Sequence, residues 1–180
     1  QLSLADIDAI AISEGPGSYT GLRIGVSLAK GLCYGADKPL IAISTLQQMC
    51  LHPEVQKVLA SSQDVLFCPM LDARRMEVYT AVYTAELETK LAPTNKILDE
   101  QSYLEYLDSN KVVFFGNGSD KFKEVCEHPN AIFVDNVWPS AQNMIQLSAT
   151  KCAAEAFEDV AYFEPFYLKE FQGTTPKKLL

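Results

Sequence analysis

Ser13-Glu14-Gly15-Pro16-Gly17-Ser18-Tyr19-Thr20-Gly21-Leu22-Arg23-Ile24-Gly25 is the stretch on which the reading of this chain turns. Residues 7–13, leading into it, are a short apolar run with isoleucines at alternate positions, the period of a strand. Gly15-Pro16-Gly17 ends that strand in a sharp turn. Ser18 then suits a helix N-cap, and Leu22, Val26, Ala29 and Cys33 recur at helical spacing as a buried stripe reaching to about Tyr34. The first-turn amides, with the Ser18 and Thr20 hydroxyls beside them, offer an anion cradle as one reading. The motif lacks the Gly-Lys-Ser/Thr ending of a phosphate loop, and its glycine spacing departs from the dinucleotide fingerprint.

Glycines within the helix carry a second message. Each one weakens a helix interior by roughly 0.8–1 kcal/mol against alanine. Gly21 and Gly25 lie one turn apart, so they share a face that lets another backbone approach closely. Two readings stay open: tight packing on the chain's own sheet, or contact with a second subunit. On the second reading Ser18, Tyr19, Gly21, Leu22, Arg23 and Gly25 form a partner interface, with Arg23 offering its guanidinium to a carboxylate.

Working outward, residues 40–43 read as a second strand, and Ser44 or Thr45 caps a helix that His52-Pro53 stops. Strand, helix, strand, helix implies parallel pairing in an α/β sheet. The polar stretch at 60–64 marks the best boundary. Beyond it 65–71 and 77–84 form an antiparallel hairpin with Asp72-Ala73-Arg74-Arg75 as its bend. A helix over 102–107, a strand over 112–115, a glycine turn at Gly116-Asn117-Gly118, a helix over 120–127, a strand over 131–134 and a long helix over 141–157 follow. Residues 165–168 are extended, and the tail after Gly173 is expected to be mobile.

Composition narrows the function classes. With 180 residues, the chain has material for one large core or two small ones. Its formal charge is −8, from fifteen basic and twenty-three acidic residues. A protein that grips nucleic acid alone needs a basic stripe to displace phosphate counterions. Arg74-Arg75 and Lys177-Lys178 are only pairs, so any service to RNA runs through a partner. Neither a secretory signal order nor an apolar run of about 18 residues is present, which makes a cytoplasmic protein the expectation. Cys33, Cys50, Cys68, Cys126 and Cys152 read as buried free thiols.

The residues for hydrolytic chemistry are sparse. A catalytic zinc takes about three protein ligands, yet the only histidines are His52 and His128, far apart and each followed by proline. No Gly-x-Ser-x-Gly occurs. Asp72 and Arg74 read as turn charges, the other option being an acid held by a guanidinium. No catalytic or metal-binding residue is assigned.

The stretch from Gly15 to Gly25 resembles the signature of the TsaB family, in which Phe commonly stands at the position of Tyr19. Four further matches follow in order: Pro39-Leu40-Ile41-Ala42-Ile43-Ser44-Thr45-Leu46, Leu71-Asp72-Ala73-Arg74-Arg75-Met76-Glu77-Val78-Tyr79, Gly116-Asn117-Gly118, and Glu164-Pro165-Phe166-Tyr167-Leu168. The resemblance implies an α/β fold of the two-lobed actin/Hsp70/sugar-kinase-like (ASKHA) type, with residues 1–60 as a partial first lobe and 61–180 as the second. The opening strands, with the Asp-Thr/Ser nucleotide loop, are expected to precede Gln1. The resemblance also implies a non-catalytic subunit supporting TsaD in tRNA threonylcarbamoyladenosine modification, helped by TsaE, with self-association through first-lobe helices. No cofactor is expected on the isolated chain; ATP or ADP is expected at the complex with TsaD, and tRNA is reached only through that complex. The competing function is a nucleotide-binding enzyme or a glycoprotease-like peptidase.

Overall fold

The computed structural model describes residues 3–61 and 65–169. Most of the expected boundary at 60–64, and all of the expected mobile tail, lie outside the described residues. Two sheets form. In the first, β1 (Ile10–Gly15) and β2 (Leu40–Ser44) run parallel, joined by α1 (Tyr19–Ala36). α2 (Thr45–Cys50) and α3 (Pro53–Ser61) lead to the second sheet, made of β3 (Val65–Asp72), β4 (Glu77–Tyr83), β5 (Thr89–Ile97), β6 (Lys111–Phe115) and β7 (Ala131–Val134). Its order is β5-β4-β3-β6-β7, antiparallel through β5, β4 and β3 and parallel through β3, β6 and β7. α4 (Leu104–Leu107) and α5 (Ser119–Lys123) flank β6, and a 3-10 turn at Ala141–Met144 runs into α6 (Ile145–Ala153).

Alternation along the strands sends side chains to two separate cores. Val65, Phe67, Val113 and Phe115 pack with Leu46, Met49, Cys50 and Val55 of α2 and α3. Leu66, Cys68, Val112 and Phe114 pack on the other face with Tyr103, Leu107 and Phe122. In the first sheet Ile10, Ile12 and Leu40 meet Ala29 and Cys33 of α1, while Ala9, Ala11, Ile41 and Ile43 meet Leu147 and Cys152 of α6. This packing runs across the expected division at residue 60. α2 and α3 side with the second sheet because their apolar faces complete its core. Residues 141–169 return to the first sheet, where α6 covers the face that α1 leaves open.

Four elements differ from expectation. The first strand begins at Ile10 rather than residue 7, because its ladder starts where Leu40 becomes available as a partner. α2 stops before His52-Pro53 as expected, but a further helix, α3, begins at once with Pro53 as its first residue, a position where the missing N–H is unneeded. β5 is a further strand that the periodicity does not disclose. It is a polar edge strand interrupted by Pro93, which only an edge tolerates. The long helix expected over 141–157 is a 3-10 turn followed by α6, which stops at Ala153. Among the described residues, no helix is long and apolar enough to cross a membrane.

Candidate partner interface

Ser18 caps α1 as expected, its hydroxyl accepting from the Gly21 amide at 3.4 Å. At the other end Asp37 takes a left-handed conformation, and the Lys38 amide returns to the Cys33 carbonyl at 2.9 Å. Val26, Ala29 and Cys33 are buried, as the stripe predicts.

The six residues of the expected interface do not share one surface. Tyr19 stacks on Tyr167, with ring centroids 4.7 Å apart and planes inclined by 11°, and its hydroxyl donates to the Lys169 carbonyl. Arg23 donates through Nε to the Tyr167 hydroxyl at 3.2 Å and lies 5.8 Å from both ring centroids. Leu22 is half-buried against Gly15 and Gly17. A Cβ on Gly25 would stand 3.3 Å from Ile12 Cδ1, so this glycine serves close packing of α1 on its own strand, the first of the two readings left open for it. Gly21 is exposed, with only its capping serine nearby.

The outward face of α1 carries what the sequence reading passed over. Ile24 is 65% exposed, Leu28 63% and Tyr34 89%. A Cβ on Gly31 or Gly35 would meet nothing within 4 Å. Gly21, Ile24, Leu28, Gly31 and Gly35 follow the three-four spacing of a helix-packing seam. Tyr34 flanks the seam, and none of these side chains is charged. The signal was present in the sequence: beside the buried stripe, α1 has a second apolar stripe on its opposite side, more than a solvated surface helix requires.

A strap formed by residues 157–169 fixes α1 laterally. Glu158 donates its amide to the Leu40 carbonyl at 2.9 Å, and Phe166 donates to the Glu14 carbonyl at 2.8 Å. Lys30 donates to the carbonyls of Ala161 and Phe163 at 2.9 and 3.1 Å. Gly15, with φ of 120°, is required here, since a Cβ would lie 2.6 Å from the Phe166 carbonyl oxygen.

A cleft of about 650 Å³ opens between the start of α1 and the β3–β4 hairpin, lined by Thr20, Leu71, Asp72, Arg74, Tyr79 and Asn117 among others. Asp72 and Arg74 do not form an acid–guanidinium couple. The Asp72 carboxylate takes Lys121 Nζ at 2.5 Å and the Arg74 amide at 2.9 Å, and the lysine holds its carboxyl below the usual range. Nearby, Ser13 Oγ and Thr45 Oγ1 stand 2.6 Å apart, and Gln48 Nε2 donates to Ser13 at 2.9 Å, tying β1 to α2. The two histidines hold local turns: His52 Nδ1 accepts from the Glu54 amide and His128 Nδ1 from the Asn130 amide. Burial pushes the Cys50 thiol well up and the Cys68 thiol up to about 12, which leaves both in the unreactive thiol form. Among the described residues, no group of three or more His, Cys, Asp or Glu side chains is placed to hold a metal ion.

Comparison with known proteins gives a consistent picture. A family model described as TsaD, tRNA N6-adenosine threonylcarbamoyltransferase, matches residues 1–175. The tRNA threonylcarbamoyladenosine biosynthesis protein TsaB of Escherichia coli (strain K12) is 31% identical over 176 residues, which cover 93% of this chain and 73% of that protein. The protein of the same name from Bacillus subtilis (strain 168) is 35% identical over 127 residues, or 68% of this chain and 52% of the relative. The structure of YeaZ from Pseudomonas aeruginosa superposes with a TM-score of 0.73 at 24% identity, covering 93% of this chain and 77% of that one, a likeness of fold.

Proposed function

The chain belongs to the TsaB family, and from that premise we propose that it serves the formation of threonylcarbamoyladenosine in tRNA as a non-catalytic subunit docked on a TsaD-type relative. The observation that carries the docking is the uncharged outward seam of α1, with Ile24 and Leu28 nearly two-thirds exposed between open glycines. Large side chains flanked by bare backbone suit a second helix lying close, with knobs entering the glycine gaps. The non-catalytic reading is supported by the employment of the polar groups: both histidines cap turns, Ser13 belongs to the β1–α2 tie, and Asp72 is pinned by Lys121. In this reading ATP or ADP binds at the complex with the TsaD-type subunit, TsaE joins there, and tRNA is reached through the assembly. The face for these contacts is Gly21, Ile24, Leu28, Gly31, Tyr34 and Gly35. Ser18, Tyr19, Leu22, Arg23 and Gly25 support it from within the lobe.

The test is Leu28→Ser in the full-length protein, mixed with the TsaD-type subunit and weighed by light scattering. Loss of one buried leucine at the seam removes about 2 kcal/mol, or roughly 30-fold in affinity. Unchanged folding by circular dichroism with weakened association is the expected result. Undiminished association would overturn the seam.

A further inference from the structure

The tip of the β3–β4 hairpin presents two arginines that the fold does not use for itself. Arg74 and Arg75 both stand in the left-handed region, with φ of 71° and 50°, where a non-glycine residue loses about 1–2 kcal/mol. Several bonds hold them there. The Arg74 amide donates to Asp72 Oδ1 at 2.9 Å, and the Glu77 amide donates to the Arg74 carbonyl at 3.1 Å. Lys121 Nζ donates to the carbonyls of Arg75 and Glu77 at 2.7 Å each. Both arginines are exposed, and among the described residues neither guanidinium takes part in a hydrogen bond or ion pair, although the charge of Arg74 adds to the lowering of the Asp72 carboxyl. The neighbouring carboxylates are already neutralised, Asp72 by Lys121 and Glu77 by Lys169. The hairpin therefore shows two uncompensated positive charges on a chain whose formal charge is −8.

Arg74 enters the cleft of about 650 Å³, whose wall also includes apolar surface from Leu71, Ala73 and Tyr79. We infer that this cleft and the arginine pair dock a short acidic and apolar segment of another protein, at a surface separate from the α1 seam. Charge complementarity argues for an anion, since a guanidinium pairs with carboxylate through two parallel bonds. The chain's acidic surface argues against RNA, because a polyanion would be repelled along its length while a short segment meets only the cleft. The apolar wall argues for side chains between the carboxylates. The inference does not depend on the α1 docking reading, and a Leu28→Ser protein should behave as the parent does.

A peptide labelled on its N-terminal amine, fluorescein-Asp-Glu-Leu-Asp-Glu-Phe-amide, serves as the probe in anisotropy titrations of the full chain at low ionic strength. Arg74→Asn with Arg75→Asn is the test variant, asparagine tolerating the left-handed backbone. Lys57→Gln with Lys111→Gln removes the same charge elsewhere on the surface. The expected result is saturable binding below about 1 mM that weakens at least about tenfold in the arginine variant, holds in the lysine variant and fades with salt. No saturation by about 1 mM, or equal weakening in both variants, overturns the proposal. Displacement of the peptide by ADP or by a short RNA hairpin at lower concentration also overturns it, and assigns the arginines to phosphate.

Discussion

Glu14 illustrates how one residue sets a pH response. It is the last residue but one of β1, beneath the strap, and burial raises its carboxyl above the usual range; Lys151 opposes that effect and Glu158 adds to it. A carboxyl raised on folding contributes stability below its unfolded value and loses it as pH rises through the folded value. Glu14→Gln should therefore raise the melting temperature at about pH 7, and the gain should vanish near pH 4, where the parent is also neutral. Thermal melts at the two pH values check this; equal gains at both would refute it. Asp72 and Glu77 have the opposite sign. Their pairing with Lys121 and Lys169 lowers both carboxyls, so their contribution is present above the ordinary carboxylate range and is lost on acidification. Glu14 follows an apolar strand in the sequence, but only the returning strap reveals that it is covered.

Helix α1 is the element in which stability and function pull apart. Gly31 faces open space, so Gly31→Ala meets no clash and gains helix propensity of roughly 0.8–1 kcal/mol. The same methyl fills the gap that a partner helix enters. The expected outcome is a higher melting temperature together with weaker association with the TsaD-type subunit, read by calorimetry and by light scattering. A variant that gains stability and binds as well as its parent would show that the gap is not used. The elements that escaped the sequence reading did so for local reasons. β5 carries Pro93 and alternates weakly because its outer edge is solvated. α3 begins at the proline of the His-Pro pair that closes α2, because proline in the first turn starts helices as readily as it ends them.

At the scale of the whole molecule, residues 157–169 bind the end of the described chain to its beginning. Tyr167 sits at the centre of this closure, stacked on Tyr19 and held by Arg23. Tyr167→Ala removes an aromatic pair and a cation–π contact, a loss of about 2 kcal/mol. Hydrogen exchange should then quicken together in the strap and the first turn of α1, while β3 and β6 remain protected. Faster exchange confined to the strap would mean that it lies on α1 without supporting it.

Local residue order determined much of this protein by itself: the strand–turn–helix at Ser13–Gly25, the Ser18 cap, the hairpin around Asp72 and the family to which the chain belongs. Those features depend on neighbours a few residues apart, and local propensity suffices to specify them. Only the tertiary structure decided which sheet α2, α3 and α6 complete, that Gly25 faces inward, and that Tyr19 and Arg23 are taken by the strap. The physical reason is distance along the chain. Residues 144–150 apart contribute nothing to local periodicity, yet their contacts determine which side of α1 remains open.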